Sequence, residues 1–125
     1  STMQYLWVAV GGAFGAVARV AVSEWASLRW GAHFPYGTLV VNLVGSFLLG
    51  FILTLVAERA MLPAEARLLA TSGFLGAFTT FSTFSWETAR LITNGSHWHG
   101  GLYVTTSILG GLVAVLLGIL VARAI

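Results

Sequence analysis

Residues Gly73 to Ser85 read GFLGAFTTFSTFS and place five hydroxyl side chains and two glycines in a stretch otherwise apolar enough to cross a membrane. Glycine and crowded Thr and Ser weaken a helix, and non-helical backbone at membrane depth survives only where protein buries it or where it lines a polar cavity. The stretch predicts a broken third span at a permeation or binding site.

The surrounding chain is built for lipid. Of its 125 residues 58% are hydrophobic and 8% charged, against about 25% charged in a soluble domain, and the mean hydropathy is +0.90. Uncharged stretches cover residues 1–18, 30–57, 68–86 and 91–122, each long enough for the roughly 20 apolar residues that span a bilayer. The expected spans are 4–25, 36–57, 65–93 and 98–122, forming one four-helix transmembrane domain over 1–125. Pro35 and Pro63 precede spans, Asn94-Gly95 closes the third, and Trp7, Trp25, Trp30, Tyr36, Trp86 and Trp98 gather at predicted boundaries, where amphipathic rings prefer the headgroup level. No Lys or Arg precedes the first apolar run, so the first span is expected to stay attached rather than act as a signal peptide.

Several classes are excluded. With no cysteine there is no disulfide or thiolate site. The small, scattered excess of arginine over glutamate does not suit nucleic acid. An intramembrane enzyme lacks a base, since no histidine falls in the interior of a predicted span and Glu87 has no paired acid. His33, His97 and His99 are expected in loops with surface roles.

Four crossings would place Arg59, Arg67 and Arg123 on one side and Arg29 and Arg90 on the other. Orientation follows the Lys/Arg bias of short loops, so this near tie predicts insertion either way up. Four helices leave side chains rather than a pore along their axis, so the chain is expected to work as an oligomer. The pairs Gly11/Gly15, Gly12/Ala16, Ser46/Gly50 and Ser107/Gly111 have the four-residue spacing that lets helix backbones approach in lipid, within one chain or between two.

Candidate contacts for a solute follow from residue type. Phe78, Phe81 and Phe84 recur every third residue; on a helix restarting near Thr80 the last two share a face. A phenylalanine edge carries partial positive charge and favours an anion without the grip of an ammonium, although packing is the commoner use of such spacing. Thr79, Thr80, Ser82, Thr83 and Ser85 exceed what backbone capping needs, and freed carbonyls at the break could hold a cation. Thr38, Asn42 and Ser46 form a polar stripe on span two, Asn42 offering amide donors to an anion; Tyr103 and Ser107 add hydroxyls in span four. Glu87 could sit in a watery vestibule, and Arg19 could draw anions to an entrance or anchor span one.

The run Gly73–Ser85, with Pro35-Tyr36-Gly37-Thr38, Val41-Asn42-Leu43 and the Gly11-Gly12 and Gly15–Arg19 pattern, resembles the Fluc fluoride channels, also called the CrcB family, over essentially the whole chain. The resemblance implies an all-α, antiparallel, dual-topology homodimer with two fluoride pathways, passively exporting fluoride from the cytoplasm across a microbial plasma membrane, the inner membrane if Gram-negative. By the same resemblance the fluoride pathway falls on Phe81, Phe84, Asn42, Ser82, Thr83, Tyr103, Ser107 and Glu87, with Arg19 at the entrance. A structural sodium ion at the dimer interface would be held by the backbone carbonyls of Gly76 and Thr79. Ala77 stands where many relatives have glycine, and Gly111 where some carry a hydroxyl. The alternative reading, a small four-helix multidrug or cation exporter, needs a membrane-embedded carboxylate, and Glu24 lies near the expected end of span one.

The arginine tie generates a first prediction. Reporters fused to the C-terminus and active on opposite sides of the membrane should both give signal, and lysines added at one terminus should bias them. A one-sided signal from the unmodified chain would exclude dual insertion.

Overall fold

The computed structural model describes residues 2–125, and among these there is no β-strand. Three helices are long and apolar enough to cross a membrane: α1 (Met3–Trp30), α2 (Tyr36–Arg59) and α6 (His97–Ala124). Between α2 and α6 runs an interrupted segment made of α3 (Ala64–Leu68), a wider π-helical stretch (Leu69–Leu75), α4 (Gly76–Phe78) and α5 (Phe81–Thr93).

The helix ends have local causes. α1 continues past its expected end at residue 25 because nothing in Glu24–Trp30 stops it; it ends at Gly31, whose φ of 87° lies in the left-handed region. With this extension Arg19 lies well inside α1. Pro63, extended, precedes α3, and Gly95 at φ 84° makes the turn after α5. His97 and His99 sit in the first turn of α6 rather than in a loop, because Ser96 already takes the N-cap position.

Two pairs of parallel helices make the fold, and glycine allows each pair to close. A side-chain carbon added to Gly11 would run into the Leu69 carbonyl oxygen, and one on Gly15 into the Phe74 carbonyl oxygen; one on Gly73 would come 2.9 Å from the Val8 carbonyl oxygen. α1 and the π-helical stretch are thus packed backbone against backbone, running the same way. α2 and α6 form the most extensive helix pair. Gly50 meets the Val115 backbone, Gly118 meets the Phe47 backbone, and Gly110 meets the Leu43 side chain. The small residues found by their spacing at Gly11, Gly15 and Gly50 are therefore used inside the chain. At the far end the pair is fastened by Arg123, which donates to both carboxylate oxygens of Glu58, and by Arg59, which donates to the Ile125 and Arg123 carbonyls.

The interior is small. One apolar cluster holds Val41, Leu75 and Phe78, and a second holds Phe34, Phe84 and Tyr103. Leu109, Leu112, Leu116 and Leu120 of α6 are exposed, as lipid-facing leucines are expected to be.

Replacing Gly11 or Gly15 by alanine should lower the thermal stability of the detergent-purified protein by about 1–3 kcal/mol, because the methyl meets backbone that cannot rotate away. Gly101→Ala, where nothing lies within 4 Å, should be neutral or slightly stabilising. Equal melting temperatures for all three variants would contradict the backbone contact.

Candidate functional site

The interruption falls at two extended residues, Thr79 (φ −89°, ψ 156°) and Thr80 (φ −152°, ψ 125°). Sequence reasoning places it anywhere from Gly73 to Thr79; Gly73 instead lies within the π-helical stretch, where its missing side chain admits α1. An interrupted helix must re-satisfy the N–H and C=O groups it releases, since lipid offers no partner. Here two neighbouring helices supply side chains for that task.

Asn42 of α2 acts as a substitute peptide group. Its Oδ1 accepts the Thr80 N–H at 2.9 Å, and its Nδ2 donates to the Thr80 carbonyl at 3.1 Å. Arg19 of α1 reaches in with Nε, which donates to the Ala77 carbonyl at 3.1 Å. Thr80 also caps α5, its hydroxyl oxygen accepting the Thr83 N–H at 3.2 Å. The Thr79 hydroxyl turns back to donate to the Leu75 carbonyl at 2.9 Å, alongside the Thr79 N–H.

The Gly76 and Thr79 carbonyls, like that of Phe78, are left without their helical partners. In a continuous helix the Gly76 carbonyl would accept from the Thr80 N–H, which goes to Asn42, and the Thr79 carbonyl would accept from the Thr83 N–H, which goes to Thr80. Gly76 is exposed, and Gly76 and Thr79 line an open hollow of about 550 Å³ with Asn42, Ser46, Ser72 and Phe81. The neighbouring Ala77 and Thr80 carbonyls are taken. No group of three or more His, Asp or Glu that could hold a metal occurs among the described residues, so a cation at this hollow would depend on carbonyl and hydroxyl oxygens.

Beyond the break the aromatic residues part company. Phe81 is 75% exposed on the hollow's side, whereas Phe84 is 8% exposed and packs 5.1 Å from the Tyr103 ring. Their own centroids are 5.7 Å apart, so the two rings form a continuous step from the outer face of α5 to its inner one. Phe78 turns away into the Val41–Leu75 cluster and is a packing residue. Tyr103, fully buried, donates its hydroxyl to Glu87 Oε1 at 2.9 Å. Glu87 and the buried Thr38 then line a cleft of about 420 Å³ bounded by Ser23, Ser27, His33, Arg90, Asn94 and Ser96.

The other expected residues are distributed around this line. Ser82 is exposed on α5 and Thr83 half-buried. Ser107 lies on α6, its Oγ buried without a hydrogen-bond partner. Phe84, Tyr103 and Glu87 are thus brought together, Asn42, Gly76, Thr79 and Arg19 gather at the break, and Ser107 follows Tyr103 by one turn on α6. Arg19, expected at an entrance, bonds to the break and also lines an open hollow with Ser23 and Ser27. Missed from the sequence were Ser23 and Ser27, which follow Arg19 at four-residue intervals and line the cleft. That spacing was readable, yet serines within an apolar helix usually bond to carbonyls of their own helix.

Residues 6–119 match the family described as CrcB-like protein, Camphor Resistance (CrcB). The chain is 52% identical to the fluoride-specific ion channel FluC of Roseiflexus sp., over 97% of this chain and 98% of that one. It is 46% identical to the FluC of Acidobacterium capsulatum over 98% of both chains, and 47% identical to that of Magnetococcus marinus over 98% of this chain and 100% of the relative. All three relatives are named as ion channels, not enzymes. With a family match spanning nearly its whole length and the broken helix in place, the chain belongs to the CrcB family of ion channels.

Proposed function

We propose that this protein is a passive, fluoride-selective channel that lets fluoride leave the cytoplasm across a microbial plasma membrane. The observation that carries the reading is the continuous step from exposed Phe81 through Phe84 and Tyr103 to Glu87, in a chain 52% identical to a fluoride-specific channel. Ring edges offer an anion partial positive charge, and hydroxyls of Ser82, Thr83 and Ser107 offer donors that replace water one at a time. The line Phe81–Phe84–Tyr103–Glu87 includes no arginine to hold an anion tightly, which suits rapid departure. Asn42 spends one amide hydrogen on Thr80 and keeps a second that can meet the ion. Fluoride is the base of a weak acid: neutral HF crosses lipid and ionises inside, and the membrane potential then drives the anion out.

The reading extends to an antiparallel homodimer with two pathways. Support comes from the exposure of Phe81 and Gly76 beside the open hollow, which a second copy would cover, and from the near-even arginine distribution. At the two-fold axis of such a dimer the Gly76 and Thr79 carbonyls would hold a sodium ion. The donor set fits, since hard oxygen ligands without a carboxylate suit a monovalent cation and these two carbonyls lack their helical partners. Bound there, sodium would supply a fixed positive charge joining the two breaks.

Purified protein in liposomes should release fluoride far faster than chloride; equal release of both, or of neither, would reject the function. A structure of the purified protein in sodium should show an ion ligated by the Gly76 and Thr79 carbonyls of two copies, and a continuous helix at Thr79 would remove that site.

Phe81→Ile or Phe84→Ile keeps apolar bulk while removing the ring edge, at a stability cost of about 1 kcal/mol. Each variant should assemble normally yet lose most fluoride efflux, whereas Phe51→Ile, on the α2 face where Phe51 stacks on Phe47, should lose little. Wild-type flux in both pore variants would reduce these rings to packing.

A further inference from the structure

We propose that Arg90 is the charge that gathers anions into the cleft leading to Glu87 and Thr38, an inference that rests on the channel reading above. The cleft, about 420 Å³, is where the aromatic and hydroxyl line meets water. Its inner wall presents a difficulty for an anion channel. Glu87 is half-buried there, held by Tyr103, and a carboxylate at that position repels an approaching anion. Something must offset it.

Arg90 lies one turn further along α5, on the face it shares with Glu87, and lines the same cleft. It is exposed, and among the described residues its guanidinium makes no ion pair or hydrogen bond, not even with Glu87. Arg123 is paired with Glu58, Arg59 sits at the end of α6, and Arg19 bonds the Ala77 carbonyl and lines a neighbouring hollow, so none of the three is on the cleft wall. The remaining lining groups are hydroxyls, the Asn94 amide, His33 and apolar side chains, so Arg90 supplies the fixed positive charge of the cleft wall. A concave, protein-walled mouth focuses such a field and raises the local concentration of counter-ions. The competing explanation is structural, since a cation in the last turn of α5 also complements the helix dipole.

Salt separates the two. A steering charge acts through solvent over a distance set by the Debye length, roughly 30 Å at 0.01 M ionic strength and 3 Å at 1 M. The experiment measures unitary fluoride current in planar bilayers at sub-saturating fluoride and fixed pH, varying ionic strength with a salt of an impermeant organic anion. Arg90→Gln should reduce the current about 3-fold relative to wild type at low ionic strength, as expected for one unit charge acting through water at a protein-walled mouth. The two should converge at high ionic strength, and Arg90→Lys should match wild type throughout. Unitary current counts only assembled channels, so a loss of stability in Arg90→Gln does not mimic the effect. If Arg90→Gln equals wild type at low salt, if its deficit persists at high salt, or if Arg90→Lys falls equally, the inference is overturned while the channel reading stands. Absence of fluoride current in the wild-type protein overturns both.

Discussion

The whole structure depends on what becomes of the backbone polar groups released at Thr79 and Thr80. In water a broken helix costs little, because solvent takes up the orphaned groups; in hydrocarbon each one left alone costs several kcal/mol. The chain meets this with two polar side chains from different helices, Asn42 from α2 and Arg19 from α1, each hydrogen-bonded to the break. For either to reach, the helices must lie close, and that requires the glycines at Gly11, Gly15 and Gly73 on one side and the tight α2–α6 pair on the other. Packing, capping and the candidate site are consequences of a single accounting problem.

That accounting also explains why so few buried residues suffice. The apolar clusters are small, and much of α6 is exposed to what surrounds the chain. In a bilayer, burying leucine against leucine gains little over leucine against lipid, so cohesion comes from close backbone approach and from polar groups with no better partner. The fold is held at its glycines, at Asn42 and Arg19, and at the Glu58–Arg123–Arg59 fastening.

Much of this was legible in the residues alone, and the failures have physical causes. Membrane class, helix order and the existence of a break follow from hydropathy and from the crowding of Gly, Thr and Ser in Gly73–Ser85. The position of the break within that run does not follow, because local propensity cannot tell a glycine that ends a helix from one that admits a neighbour; the α1 contact decides it for Gly73. Asn42 stood out as a polar residue in an apolar span, but its partner lies 38 positions away, beyond any periodic pattern. Arg19 likewise stood out as a charge in an apolar span, but its hydrogen-bond partner, the Ala77 carbonyl, lies 58 positions away. Phe81 and Phe84 share a spacing yet differ sharply in exposure, since three residues on a helix turn a side chain by about 300° rather than a full circle.

A discontinuity tied to both its neighbours is anchored from two sides. Thr80 is gripped at its N–H and its carbonyl by one asparagine, and the preceding turn is held by an arginine, so opening the break would rupture bonds to two helices at once. Passage along such a frame has no large rearrangement enthalpy to supply, and its rate should rise with warming about as gently as diffusion of an ion in water.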